Sequence, residues 1–347
     1  MNFDYENFSK ILIMILLPFI FVVTVMPFVK KLAKRVNAID IPRGRHMHKK
    51  PTPKLGGLAI FLGFLLGYMF FGQESIQMNS ILIGSFIIVI TGIIDDIKPI
   101  SAKYKFCGQV IGASIIPLYG GILLKDVSAF GLYLNFGILS YPLTIFFILG
   151  VINCMNLIDG LDGLAGGIAS IYFITIGIIA IIFNNSSGLD TILTFVMLGS
   201  TLGFLFHNFN PASIFMGDSG SMFLGYMIAV ISLLGYKNVT FTSFIVPIFL
   251  LAIPILDTLF AIVRRTINHK PIAMPDKNHL HHQFLKKNLS QKKTVLIIYL
   301  IDLLFAAASI IYVLGNFEQG LVIYTVLFIV VLILILKTDI IFERSKK

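Results

Sequence analysis

Residues 139–183 read LSYPLTIFFILGVINCMNLIDGLDGLAGGIASIYFITIGIIAIIF. Two apolar runs, 139–156 and 164–183, each come close to the ~20 residues that cross a bilayer as a helix, and between them lies a string of amides, carboxylates and glycines. Asn153, Asn156 and Asp159 recur every third residue, a spacing that places them on one helical face, and Asp162 follows three further on. An aspartate left in lipid costs about 2.5–3.5 kcal/mol on insertion scales. The string must therefore meet water, metal or ligand at the edge of the membrane. Asp162 taken alone suits a cap on the following helix equally well, and Gly160, Gly163, Gly166 and Gly167 suit close helix packing. Neither reading accounts for the whole string.

Working outward, the same pattern of apolar runs recurs at about 11–29, 56–71, 79–94, 106–124, 191–206, 219–234, 242–262, 294–314 and 320–336. With the first pair this predicts eleven crossings and an all-α integral membrane protein. Composition agrees: 57% of the 347 residues are hydrophobic and 13% charged, with mean hydropathy +0.91. Soluble domains carry roughly a quarter charged residues, and no soluble core of this size hides so much apolar surface. Asp4 and Glu6 precede the first run while Lys30, Lys31, Lys34 and Arg35 follow it, so it does not read as a cleavable signal and the N-terminus is expected outside. Alternating the loops from there puts 24 of the 27 Lys and Arg residues on the cytoplasmic side, with Lys10, Lys125 and Lys237 outside, and brings the C-terminus in. The net charge of +10 is thereby absorbed by orientation and attraction to anionic headgroups. A nucleic-acid partner loses its support. Cys107 and Cys154 lie in apolar stretches and make no framework. Residues 1–347 read as one polytopic domain.

The remaining polar clusters fall on the same predicted face, in the loops 30–55, 95–106, 153–163, 207–221 and 264–293. A transporter would instead carry its ionisable groups near the midplane, on broken helices. Asp95-Asp96, with Lys98, Lys103 and Lys105 behind them, form an adjacent carboxylate pair that a hard divalent cation or the lysines would stabilise. In HNFNPASIFMGDSGSMFLGY (207–226), Asp218 reads either as a helix cap or as a metal ligand, and Phe215 either as packing or as a platform for a flat base. The loop RRTINHKPIAMPDKNHLHHQFLKK (264–287) brings Asp276, His279, His281 and His282, which suit phosphate oxygens and proton carriage. Zinc ranks lower there because no HExxH spacing or cysteine accompanies them. RGRHMHKKPTPKLGG (43–57) is a basic turn in which Lys49, Lys50 and Lys54 would hold phosphates or anchor headgroups. Asp257, seven residues before Arg264, is expected to pair with it; Asp302 has no partner that the sequence names.

The ordered set PTPKLGG, DDIKPISAKYK, NCMNLIDGLDGLAGG, NFNPASIFMGDSGS and PDKNHLHH resembles the polyprenyl-phosphate N-acetylhexosamine-1-phosphate transferases of bacterial membranes, over essentially the whole chain. DKNHLHH is similar to the branch that transfers N-acetylglucosamine-1-phosphate, for O-antigen, enterobacterial common antigen or wall teichoic acid. The branch making the first peptidoglycan lipid intermediate, which takes UDP-MurNAc-pentapeptide, usually has three consecutive histidines where Leu280 interrupts them here. The resemblance implies attack by undecaprenyl phosphate on a UDP-N-acetylhexosamine with release of UMP, in the bacterial cytoplasmic membrane with the site facing the cytoplasm. It implies Mg²⁺, with Mn²⁺ able to replace it, and is compatible with a homodimer. By the family's pattern Asp218 and Asp95 would hold the metal, and Asp95, Asp96 and Asp159 would carry the chemistry, Asp95 or Asp96 orienting or deprotonating the lipid phosphate. Asn153, Asn156, Asp162 and Phe215 would line the nucleotide site. Lys105, His279, His281 and His282 would hold phosphates, and Lys50 or Lys49 would reach the nucleotide. Direct attack is favoured over a covalent aspartyl intermediate, since a phosphate monoester is already mostly ionised.

Overall fold

A computed structural model describes residues 5–42, 51–129, 132–183, 188–237, 245–269, 279–315 and 317–336. Its elements are α1 (Tyr5–Arg35), β1 (Ile39–Asp40), β2 (Thr52–Pro53), α2 (Gly56–Phe71), α3 (Ile76–Ile97), α4 (Ala102–Leu118), β3 (Asp126–Ala129), β4 (Leu132–Asn135), α5 (Ser140–Ile158), α6 (Leu164–Ile182), α7 (Leu189–Asn208), α8 (Gly217–Lys237), α9 (Ile245–Leu250), α10 (Ala252–Ile267), α11 (Leu280–Lys286), α12 (Gln291–Val313) and α13 (Phe317–Leu336). Within the described residues each apolar run overlaps a helix, although the run 106–124 outlasts α4, which ends at Leu118. Among the described residues seven helices, within α1, α3, α5, α6, α7, α8 and α12, are long and apolar enough to cross a membrane, and α2 and α13 carry shorter apolar stretches. The protein is thus an all-α membrane protein, with two small antiparallel pairings, β1 with β2 and β3 with β4, that hydrophobic patterning did not announce.

One predicted span is divided. The described part of the run 242–262, from residue 245, forms α9 and α10, which meet at Leu251. Pro254 has no N–H to give to the carbonyl four residues back, so the apolar run continues while the helix is interrupted. Ser75 accepts from the Met78 amide at 3.0 Å to open α3, and Lys34 and Arg35 close α1 where the dipole favours cations.

Around α8 pack α3, α5, α2 and α7, and α1 lies against α7 and α2. The approach at the start of α8 is close enough to exclude any side chain. A Cβ on Gly57 would lie 2.0 Å from the Gly220 nitrogen, and one on Gly92 would lie 2.3 Å from the Ser219 Cα. Glycine at these two places lets the beginning of α2 and the last turns of α3 converge on the first turn of α8. The polar clusters meet there.

Candidate active site

The centre of the site is built from two aspartates on different helices. Gly217, with φ 74°, turns the chain into α8, whose first amides have no partner within the helix. Asp96, 3% exposed in the last turn of α3, supplies one: its Oδ1 accepts from the Asp218 amide at 2.9 Å, and its Oδ2 from the Ser219 amide at 3.1 Å and the Ser219 hydroxyl at 2.7 Å. A carboxylate at a helix N-terminus is favoured by both the hydrogen bonds and the dipole. Asp96 is thus spent on fixing the backbone of Asp218. Its neighbour Asp95, a hundred degrees around the helix, looks elsewhere: Oδ1 takes the Ile100 amide at 2.9 Å and Oδ2 lies 3.6 Å from Lys105 Nζ. The pair that reads as one unit in sequence divides into two roles.

Asp218 accepts from Lys105 Nζ on Oδ2 and from Asn156 Nδ2 on Oδ1, the latter at 2.6 Å. Asn156 also donates to Ser221 Oγ at 2.8 Å. Asp159 follows directly after α5; burial first, then the charges of Asp218, Asp96 and Asp162, push its carboxyl up to about 8. Asn153 lies a turn deeper and belongs to the packing of α4, α5 and α8, donating to Gln109 Oε1 at 3.0 Å and to the Leu149 carbonyl at 2.8 Å, while Gln109 reaches Met222 Sδ. Asp162 does not cap α6, where Gly163 holds the cap position at φ 83° without a side-chain bond. Its Oδ2 instead accepts from Asn210 Nδ2 at 2.9 Å and the Ala212 amide at 3.0 Å, tying the loop after α5 to the loop after α7. A neighbouring clasp completes the join: Asn208 accepts from the Gly163 amide and donates to the Ile214 carbonyl, both at 2.9 Å.

A third wall comes from the N-terminal part of the chain. The Phe215 amide donates to the Pro53 carbonyl at 2.8 Å, the Gly56 amide to the Phe215 carbonyl at 3.0 Å, and the Gly57 amide to the Met216 carbonyl at 2.8 Å. This ladder, together with the bond from the Lys54 amide to the Ala38 carbonyl at 3.0 Å, sets Lys54 and Asp40 beside Phe215. Lys49 and Lys50 lie outside the described residues, as does Asp276.

These elements enclose a cleft of about 410 Å³, whose lining includes Asp40, Lys54, Asp96, Asn156, Asp159, Asp162, Phe215, Asp218, His282 and Gln291. A volume of that order suits a drug-sized ligand, and the wall is dominated by carboxylates with Lys54 among them. Asp40 and Gln291 went unmarked in the sequence. Asp40 sits in an ordinary NAID stretch, and Gln291 is the first residue of a helix, so neither carried a local signal.

The histidine segment stands against the cleft. His279, His281 and His282 have their rings close together, with His279 and His281 stacked at 5.7 Å and 3° and the centres of His281 and His282 4.2 Å apart. His282 lines the cleft. His281 is buried, neither ring nitrogen has a hydrogen-bond partner, and burial, then the His282 charge, lower it to about 3. Asp257, expected to pair with Arg264, shows other partners: Oδ2 lies 2.9 Å from His279 Nδ1, and Oδ1 accepts from the Leu280 amide at 2.7 Å. The sequence could not foresee this, because the loop that closes back on α10 has no periodicity to read. Both oxygens of Asp302 are buried without a hydrogen bond. Among the described residues no group of three His, Cys, Asp or Glu side chains is placed to hold a metal ion; Asp276, the fourth member of the zinc reading, lies outside them.

Residues 78–236 match the model of a family described as Glycosyl transferase family 4. Over 345 residues, 98% of this chain and 96% of the relative, the chain is 41% identical to a probable undecaprenyl-phosphate N-acetylglucosaminyl 1-phosphate transferase of Bacillus subtilis. It is 36% identical over 317 residues, 82% of this chain and 78% of the relative, to a decaprenyl-phosphate N-acetylglucosaminephosphotransferase of Mycobacterium tuberculosis. To the undecaprenyl-phosphate alpha-N-acetylglucosaminyl 1-phosphate transferase of Escherichia coli it is 27% identical over 300 residues, 84% of this chain and 81% of the relative.

Proposed function

Because the chain belongs to glycosyl transferase family 4, among the polyprenyl-phosphate N-acetylhexosamine-1-phosphate transferases, we propose that it transfers N-acetylglucosamine-1-phosphate from UDP-N-acetylglucosamine to undecaprenyl phosphate. The products are undecaprenyl-diphospho-N-acetylglucosamine and UMP. The observation that carries this reading is the convergence of five distant stretches on one cleft: Lys54, Asp96, Asn156 with Asp159 and Asp162, Phe215 with Asp218, and His282 each come from a different motif. The names of the relatives favour this branch over the peptidoglycan one.

In the reaction an oxygen of the lipid phosphate forms a bond to the sugar-linked phosphorus, the bridging P–O bond breaks, and UMP leaves with the electron pair. Two anionic substrates must be brought together, so positioning and charge neutralisation do most of the work. Phe215 would stack on uracil, and Lys54 and His282 would face the diphosphate. Asp95, half-buried beside Asp218 and met by the Ile100 amide and Lys105, would orient the lipid phosphate. Asp96 acts by holding Asp218 in place. Asp218 and Asp95, which share Lys105, offer carboxylate oxygens that suit Mg²⁺: that ion keeps several waters and takes one or two carboxylates together with substrate phosphates. When bound it would neutralise phosphate charge. Lys105 already stands beside Asp218 and Asp95, so it is placed to pass from the carboxylates to a phosphate oxygen.

The eleven apolar runs, taken with the loop charges, support eleven crossings with the N-terminus outside and the cleft at the cytoplasmic face of the bacterial membrane, where UDP-sugars are found. The test is UMP release by the purified protein in detergent with undecaprenyl phosphate and Mg²⁺, offering UDP-N-acetylglucosamine, UDP-N-acetylgalactosamine and UDP-MurNAc-pentapeptide in turn, with chelator controls. Chelator-sensitive turnover of the first donor is expected. Turnover of the third alone would move the protein to the peptidoglycan branch, and none from folded protein would send the reading to transport assays.

A further inference from the structure

Asp257 stands outside the cleft, 3% exposed in the middle of α10, yet each of its oxygens is committed to the histidine segment. The Leu280 amide is the opening N–H of α11, and its hydrogen is fixed by the backbone. That bond orients the carboxylate and leaves the second oxygen for His279 Nδ1. A carboxylate accepts and cannot donate, so His279 must carry a proton on Nδ1, which leaves Nε2 as the variable position of the ring. The segment held this way is pressed directly on the cleft. His281 packs so closely on Gly160 that a Cβ there would lie 2.4 Å from Nε2; Gly160 neighbours Asp159, and His282 itself lines the cleft.

We propose that Asp257 is a positioning residue: by its two hydrogen bonds it selects the Nδ1-protonated form of His279 and docks α11, so that His282, its ring centre 6.0 Å from that of His279, stands in the cleft wall that meets the donor's phosphates. The last clause rests on the transferase reading above; the tautomer and the docking do not.

Asp257→Asn separates this role from simple space filling. The fixed Leu280 N–H requires the new amide to present its oxygen there, which turns its NH₂ toward His279 Nδ1. That nitrogen must then accept, and the ring proton moves to Nε2. The fold keeps its shape and polar partners while the tautomer reverses. Expected for Asp257→Asn are an unchanged melting temperature in detergent, a fall of about 10–100-fold in kcat/KM for UDP-N-acetylglucosamine, as for other groups that orient a functional histidine, and an unchanged KM for undecaprenyl phosphate. In a His279→Gln background the same substitution should have no further effect. Full activity of Asp257→Asn, or an equal further loss in the His279→Gln background, overturns the proposal. ¹⁵N-histidine spectra of the wild-type protein decide it independently of activity and of how the variants fold: His279 protonated on Nδ1 supports it, a neutral ring protonated only on Nε2 overturns it. Wild-type protein without UMP release would sink the transferase reading and leave the spectra to decide the pairing.

Discussion

Three aspartates of the cleft, Asp96, Asp159 and Asp218, and Asp95 beside them have four different surroundings, and their substitutions should separate accordingly. Asp96→Ala strands the buried Ser219 amide and hydroxyl and the half-buried Asp218 amide at the start of α8, and should cost about 1–3 kcal/mol of stability per buried orphaned group as well as activity. Asp95→Asn keeps its size and should leave the melting curve alone while lowering turnover. Asp218→Asn removes the charge that Lys105 and Asn156 address, and a loss of about 10²–10³-fold in kcat is expected by comparison with other electrostatic groups. Measuring melting and UMP release on the same three variants checks the division. Asp159 makes a different prediction. With its carboxyl raised to about 8 by burial and then by the charge of Asp218, it carries a proton at neutral pH, and a cation that neutralises Asp218 would favour its charged form, so Mg²⁺ affinity should rise as pH approaches 8, with proton release visible by calorimetry in two buffers. His281 acts on stability: lowered to about 3 when folded, it takes up a proton in the unfolded chain at higher pH, so stability is lost as pH falls from about 6.5 toward 3. Melting temperatures at pH 7 and pH 5 should differ more in wild type than in His281→Gln. These distinctions were hidden in the sequence, where Asp95 and Asp96 look interchangeable and three histidines look alike, because they depend on which backbone amides arrive from elsewhere.

Among the elements, apolar run length was a reliable guide, since a helix is the economical way to satisfy backbone groups in lipid. The division of 242–262 at Leu251 was not read because a proline near the beginning of a helix and one that interrupts a run look the same in a hydropathy trace. The strand pair β1–β2, two residues on each side, is too short for alternation to show. It nevertheless carries Lys54 to the cleft. Close packing at this level makes a specific demand: Gly57→Ala must push α2 from α8, and a loss of about 1–3 kcal/mol, the usual range for overpacking, should appear as a lower melting temperature. Gly121, whose added Cβ would meet nothing within 4 Å, provides a comparison limited to its positive φ of 62°.

For the molecule as a whole, the order of five motifs along the chain foretold that they belong together, and loop charge suggested on which side. Which parts of each motif face the cleft was not foretold: Asn153 shares its spacing with Asn156 but serves the helix packing, and Asp40 and Gln291 reach the cleft from stretches with no motif at all. The proposed orientation has its own test. A single cysteine placed at Lys125 in a Cys107→Ser, Cys154→Ser background should react with an impermeant maleimide in intact cells, and one placed at Lys103 only after permeabilisation; the reverse pattern would invert the topology. The bond between Asp96 and the Asp218 amide spans 122 positions of the chain. At a synthesis rate of about 5–20 residues per second, a ribosome that has finished α3 needs on the order of ten seconds to deliver that amide. During this interval Asp96 lacks the amides that receive it in the folded protein, whereas the partners of Asp95, Ile100 and Lys105, follow within ten residues. Insertion of α3 should therefore be provisional, completed only when α8 emerges, and a chain arrested between the two should be handled by the cell's quality control as an unfinished membrane protein.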